Sequence, residues 1–97
     1  MNFGQAASSA DELQREYMFD RDVFRARIRE LRKKAGESQA QLAQVIGVSA
    51  NQVSEMEKGT KTTTLERFCA ICEHYNVSAD YLLGRKEEEN DTKRGIS

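Results

Sequence analysis

The stretch that most limits what this chain can become is Ser38 to Gly59, SQAQLAQVIGVSANQVSEMEKG, in which two short helical patterns meet across one glycine. Ser38 is a helix-capping residue type, and Leu42, Ala43 and Ile46 recur at the three- and four-residue steps that share one helical face. These predict a helix over residues 39–46. Gly47 follows where the backbone needs a conformation open to a residue without Cβ, Val48 supplies an apolar plug, and Ser49 caps a second helix. In that second helix Val53 and Met56 mark the inward face and Gly59 is the stop, leaving Ala50, Asn51, Gln52, Ser54, Glu55 and Lys58 on outward or lateral faces. Two helices crossing near a right angle through so tight a turn must approach closely. Ala43, small and one turn before the glycine, is the residue type that crossing tolerates.

In these residues the segment resembles the helix-turn-helix DNA-binding domains of the Cro and phage-repressor type, the XRE family. The likeness rests on Gln39, Leu42-Ala43, Ile46-Gly47-Val48-Ser49, Val53, Met56, Glu57 and Gly59, and it extends from about Phe24 to Gly84, closing on NVSADYLLG at Asn76–Gly84. It implies an all-α, compact five-helix fold of the lambda-repressor type, with the second helix of the pair as the reading helix. In the family a basic residue at the Arg32 position meets an acidic one at the Glu57 position, so the resemblance implies a pair that pins the preceding helix to the reading helix. Arg32, Ala43, Gly47, Glu57 and Gly59 are the structural candidates that follow.

The rest of the chain reads as support, in three parts: an extension over 1–22, the DNA-binding domain over 23–84 and a charged tail over 85–97. Residues 1–9 are small and polar, an expectation of disorder. Ser9 with Glu12 has the form of a capping box, and Leu13, Tyr17 and Met18 fall near one another on a helix, which predicts an extra N-terminal helical segment. Its apolar side chains can fold back on the core, pair with another subunit or meet a partner protein. Either Asp20 or Asp22 can cap the next helix, and one continuous helix from Ala10 to Lys34 is the alternative. Phe24, Ile28, Leu31 and Ala35 form that helix's apolar stripe, ended by Gly36. After a polar loop, Thr64 can cap a helix with Leu65, Phe68, Ile71, Cys72 and Tyr75 on one face; Asn76 ends it in a left-handed conformation, and Ser78 caps a short helix with Tyr81, Leu82 and Leu83. The tail RKEEENDTKRGIS has no apolar face and is expected to be disordered.

The formal net charge of −1 argues against a nucleic-acid binder until its distribution is considered. Residues 1–22 hold two basic and five acidic side chains (−3), residues 23–86 hold eleven and seven (+4), and residues 87–97 hold two and four (−2). The positive charge lies with the motif, at a density that predicts only modest non-specific DNA affinity. No run of about 18 apolar residues and no signal-peptide layout is present, which predicts a cytoplasmic protein with no membrane association and with Cys69 and Cys72 reduced. Those two cysteines form a CxxC, but within a helix and with His74 as the sole histidine they lack a fourth ligand; small buried hydrophobes are the expectation, with no metal and no cofactor. No nucleophile and base assemble around His74, so no catalytic residue is assigned.

The chemistry matches DNA instead. The first helix of the pair offers its N-terminal N–H groups to a phosphate, with Ser38 and Gln39 adding side-chain donors and Ser49 doing the same at the next helix. On the reading helix Asn51 can form a bidentate pair with adenine, Ala50 can touch a thymine methyl and Glu55 can accept from cytosine N4, with Gln52 and Ser54 beside them; Lys58 and Lys61 suit phosphates. The expected partner is double-stranded DNA, bound by a homodimer. Its contacts are expected from the closing helix around Tyr81 and Leu82 or, preferably, from the N-terminal segment. The rival expectation is an antitoxin or adaptor that grips a protein through that segment.

Overall fold

The structure, a computed structural model, describes residues 19–89. The predicted helix over Ser9 to Met18 and the tail from residue 90 onward lie outside the described residues. Five helices follow one another: α1 (Arg21–Lys34), α2 (Gln39–Ile46), α3 (Ala50–Lys58), α4 (Leu65–Tyr75) and α5 (Ala79–Leu83). The described residues are all-helical and form the expected lambda-repressor-like arrangement.

Each helix begins at an extended residue whose side chain accepts from a backbone N–H three positions on: Asp20, Ser38, Ser49, Thr64 and Ser78. Each such cap contributes about 1 kcal/mol. Asp20 therefore settles the start of α1 and excludes a continuous helix from Ala10, because an N-cap in the β region at φ −96° and ψ 101° interrupts helical backbone. The opposite ends close in the left-handed region at Gly47 (φ 76°), Gly59 (φ 85°) and Asn76 (φ 56°). At Gly59 the positive φ disfavours any side chain, and an added Cβ would also have to displace the flexible Arg25 side chain, whose Cδ would lie 2.8 Å away.

The core draws one wholly buried residue from each helix, Ile28, Leu42, Val53, Ile71 and Leu82, each worth about 1.5–3 kcal/mol. α2 packs on α3 and α4, while α1 bridges α3 and α5. Three expectations fail at the edges of this core. Ala35 is exposed, because α1 outruns the core at its C-terminal end and the last inward position belongs to Arg32. Leu65 is 78% exposed, because the first residue of α4 stands before the turn that meets the core, and Phe68 is the first to pack. Cys69 is exposed and only Cys72 is half-buried, since the inward face is Phe68, Ile71, Cys72 and Tyr75.

Two further differences concern the ends. Tyr81 and Leu82 lie in the chain's own core, at 7% and 0% exposure, and so offer no apolar surface to a second subunit. Residues 85–89, expected to belong to the free tail, lie back along α1. Arg27 donates at 2.7 Å to the carbonyls of both Tyr81 and Lys86 and stacks 4.1 Å from the Tyr81 ring centre, and the Ser78 amide donates to the Glu89 carbonyl. Composition identified the charge of this stretch but not the carbonyls that Arg27 recruits.

Ala43 is 3% exposed at the α2–α3 crossing, and its carbonyl accepts from both Gly47 and Val48. Ala43→Leu should destabilise the domain by about 1–3 kcal/mol through overpacking, measured by urea denaturation. An unchanged midpoint would show that the crossing has room to spare.

Candidate nucleic-acid interface

The outer face of the α2–turn–α3 unit is built by two matching capping boxes. The Ser38 hydroxyl accepts from the Gln41 amide at 3.0 Å while the Gln41 side chain accepts from the Ser38 amide at 2.7 Å. Ser49 and Gln52 repeat the arrangement at 3.1 and 3.0 Å. Both helix starts are held in a fixed direction; the Ser38 hydroxyl keeps a donor for another partner, while the Ser49 hydroxyl donates to the Gln52 side-chain oxygen at 3.4 Å. Gln41 was missed as a site residue although the S-x-x-Q spacing was legible.

On α3 the exposed run Ala50, Asn51 and Gln52 occupies the first turn, with Ser54 and Glu55 half-buried behind it. Gln52 gives its carbonyl oxygen to the Ser49 cap and keeps its amide N–H groups for another acceptor. Glu55 lines a groove of about 210 Å³ together with Gln52, Lys61, Thr64 and Arg67. Two cationic side chains, Lys61 and Arg67, thus share the groove with the Glu55 carboxylate. Lys58 and Lys61 are both exposed at the far end of α3. There the structure adds two cations that the sequence left unassigned: Arg21 donates to the Gly59 carbonyl at 3.4 Å and Arg25 lies over Gly59.

The side of α3 turned away from this surface is anchored by charge. Arg32 and Glu57 are 8% and 7% exposed and meet through two hydrogen bonds, Nε to Oε2 at 2.6 Å and Nη2 to Oε1 at 2.9 Å. Burial by itself raises the Glu57 carboxyl, but hydrogen bonds from Arg32 and Gln39 and the Arg32 charge outweigh it and hold the pKa below the usual carboxylate range. The Arg32 guanidinium is raised in turn, chiefly by its hydrogen bond to Glu57. Gln39, expected at a phosphate, is redirected: it is half-buried and donates to Glu57 at 3.1 Å, because the start of α2 lies beside the inner face of α3.

The network continues inward. Arg32 also donates to the Glu37 carbonyl at 2.7 Å, and the Glu37 carboxylate accepts from Tyr75 and lies 2.6 Å from His74 Nε2. Glu37 is likewise held below the ordinary range: burial raises it, and the Tyr75 and His74 hydrogen bonds lower it further than burial raises it. Arg67 braces the turn itself, donating to the Ile46 and Gly47 carbonyls at 3.1 and 3.4 Å. No local pattern announces Glu37, Tyr75 or Arg67, since each acts across a long sequence separation. Among the described residues no cluster of ligating side chains can hold a metal, and no helix is long and apolar enough to cross a membrane.

The family model for helix-turn-helix matches residues 28–82, spanning α1 through α5. The chain belongs to the helix-turn-helix family. It is 34% identical over 68 residues to the HTH-type transcriptional regulator ImmR of Bacillus subtilis, a match covering 68% of this chain and 54% of the relative. It is also 33% identical over 63 residues to the antitoxin PezA of Streptococcus pneumoniae, covering 65% of this chain and 40% of that protein. The chain thus spans about half the length of these curated relatives. Among solved structures it is similar to the P22 c2 repressor protein crystallised with a synthetic operator, at 33% identity and a TM-score of 0.62, over 66% of this chain and 97% of that one.

Removing one partner of the buried pair leaves the other charge stranded. Arg32→Met should cost about 3–5 kcal/mol, whereas Arg32→Met with Glu57→Leu should recover most of that loss, both measured by urea denaturation. Because the folded pKa values of Glu57 and Glu37 lie below their unfolded ones, their stabilisation is complete above the ordinary carboxylate range. It is lost as pH falls through the folded values, so stability should decline below about pH 4. Glu57→Gln should flatten that decline.

Proposed function

We propose that the chain is a sequence-specific DNA-binding transcriptional regulator, a repressor of bacterial or phage origin that acts in the cytoplasm as a homodimer. The observation that carries this reading is the first turn of α3. It presents Ala50, Asn51 and Gln52 outward from a helix whose start is fixed by Ser49 and whose inner face is fixed by Glu57. A helix held at both points enters a major groove in one orientation, so its side chains meet defined base edges. Asn51 is the candidate for adenine and Ala50 for a thymine methyl, with Gln52, Ser54 and Glu55 extending the read positions. The helix starts at Ser38 and Ser49 suit phosphates on one side, and Lys58 and Lys61 suit them on the other, now with Arg21 and Arg25 beside them. Gln39 supports this surface from within, through Glu57.

One domain reaches only half a site, so a two-fold dimer with reading helices one DNA turn apart, roughly 34 Å, completes the reading. The likeness to the P22 c2 repressor, whose structure was determined on an operator, supports DNA as the partner. The likeness to the antitoxin PezA favours a second reading, in which the same fold is paired with a protein partner and DNA contact is secondary.

The test is an affinity series on a site selected from random duplex DNA. Asn51→Ala should weaken that site by about 1–3 kcal/mol and relax preference at one base pair, while Lys58→Ala should weaken all sequences alike. Two variants that behave identically would contradict the assignment of roles along α3.

A further inference from the structure

The described chain starts at Phe19, on the wall of an apolar groove of about 250 Å³ formed with Phe24, Leu65, Phe68 and Leu83. That volume is below the roughly 300–1,000 Å³ of small-molecule sites, and it suits one or two side chains of a peptide. Leu65 on its rim is 78% exposed, well above Val45 at 44%, the other large hydrophobic residue left in solvent among the described residues. Two contacts bring the preceding segment to this spot. The Phe19 ring packs edge-on against Phe24 at 5.1 Å, and the Asp20 amide donates to the Leu83 carbonyl at 2.9 Å. The residues immediately before Phe19 are Tyr17 and Met18, with Leu13 about one helical turn further back.

We propose that this groove is the seat of residues 13–18 of the same chain, with Tyr17 and Met18 covering Leu65 and Phe68. Chain geometry favours the segment's own domain over a second copy. Met18 is bonded to a residue already in the groove, so its effective concentration there does not depend on the protein concentration. Seated in this way, the segment gives Leu65 the cover that α4 lacks and leaves self-association to another surface. The proposal is independent of DNA binding.

Nuclear Overhauser contacts in the full chain test it. Contacts from the Tyr17 ring and the Met18 methyl to the Leu65 methyls are expected in a uniformly labelled sample. They should be absent from the isotope-filtered spectrum of an equal mixture of labelled and unlabelled chains. Leu65→Glu should also abolish the accompanying contacts from Tyr17 and Met18 to the Phe68 ring and the Leu83 methyls, which the substitution leaves in place, while the Leu42 and Val53 methyl shifts stay put and show that the domain remains folded. Contacts that appear in the filtered spectrum would put the segment on a second copy and overturn the proposal. So would their absence from both samples, or the survival of the Phe68 and Leu83 contacts in the Leu65→Glu protein.

Discussion

The orientation of the reading helix depends on one buried ion pair. Arg32 on α1 and Glu57 on α3 meet through two short hydrogen bonds with almost no access to water. Taking both charges out of solvent costs much of what their attraction returns, so the pair is a weak source of net stability and a strong source of geometry. Only one placement of α3 satisfies both oxygens of Glu57, and a shift of α3 strands a charge. Gln39 adds the start of α2 to the same carboxylate, and Arg32 reaches on to the Glu37 carbonyl. Through Tyr75 and His74 at Glu37 the network also takes in α4. Four of the five helices are thus referred to one polar centre beneath the outer face.

The division between the two sides of α3 follows from this centre. Val53, Met56 and Glu57 are buried, and Ala50, Asn51 and Gln52 are exposed. The residues that set position and those that can read a ligand therefore share a short helix without sharing side chains. Gln52 alone does both, closing the Ser49 cap with its oxygen while keeping its amide donors. The Arg67 brace on the Ile46 and Gly47 carbonyls removes freedom at the turn, where a left-handed glycine would otherwise allow the two helices to flex.

Much of this is legible in the sequence, where the physics is local. The Ser38 and Ser49 caps, the stop glycines and the apolar spacing define α2 to the residue and α3 to within one, because each signal acts within one turn of the helix it starts or ends. Ala43 was legible from size alone. The Arg32–Glu57 pair was legible only through the family resemblance, since nothing in spacing links two residues on different helices. For the same reason Glu37, Arg67 and the carbonyl contacts of Arg27 were not legible: their partners are reached through the fold. Leu65 and Cys69 illustrate a different limit. Periodicity assigns a face to a side chain, but the extent of the core decides whether that face is covered, and α4 begins before the core does. Gln39 was aimed at a phosphate because it opens α2, whereas the depth of Glu57 draws it inward.

The measurement that bears most directly on the account is the salt dependence of binding by the full chain. It compares mixed-sequence duplex DNA with a site selected from random duplexes. The account predicts weak binding to mixed DNA at low salt that falls steeply as salt rises, by about 0.9 log units in affinity per log unit of salt for each phosphate neutralised. It also predicts that the selected site keeps an advantage of about 10³-fold or more throughout. No measurable binding to either duplex, or affinity indifferent to salt, would contradict it and leave the outer face of α3 to a protein partner.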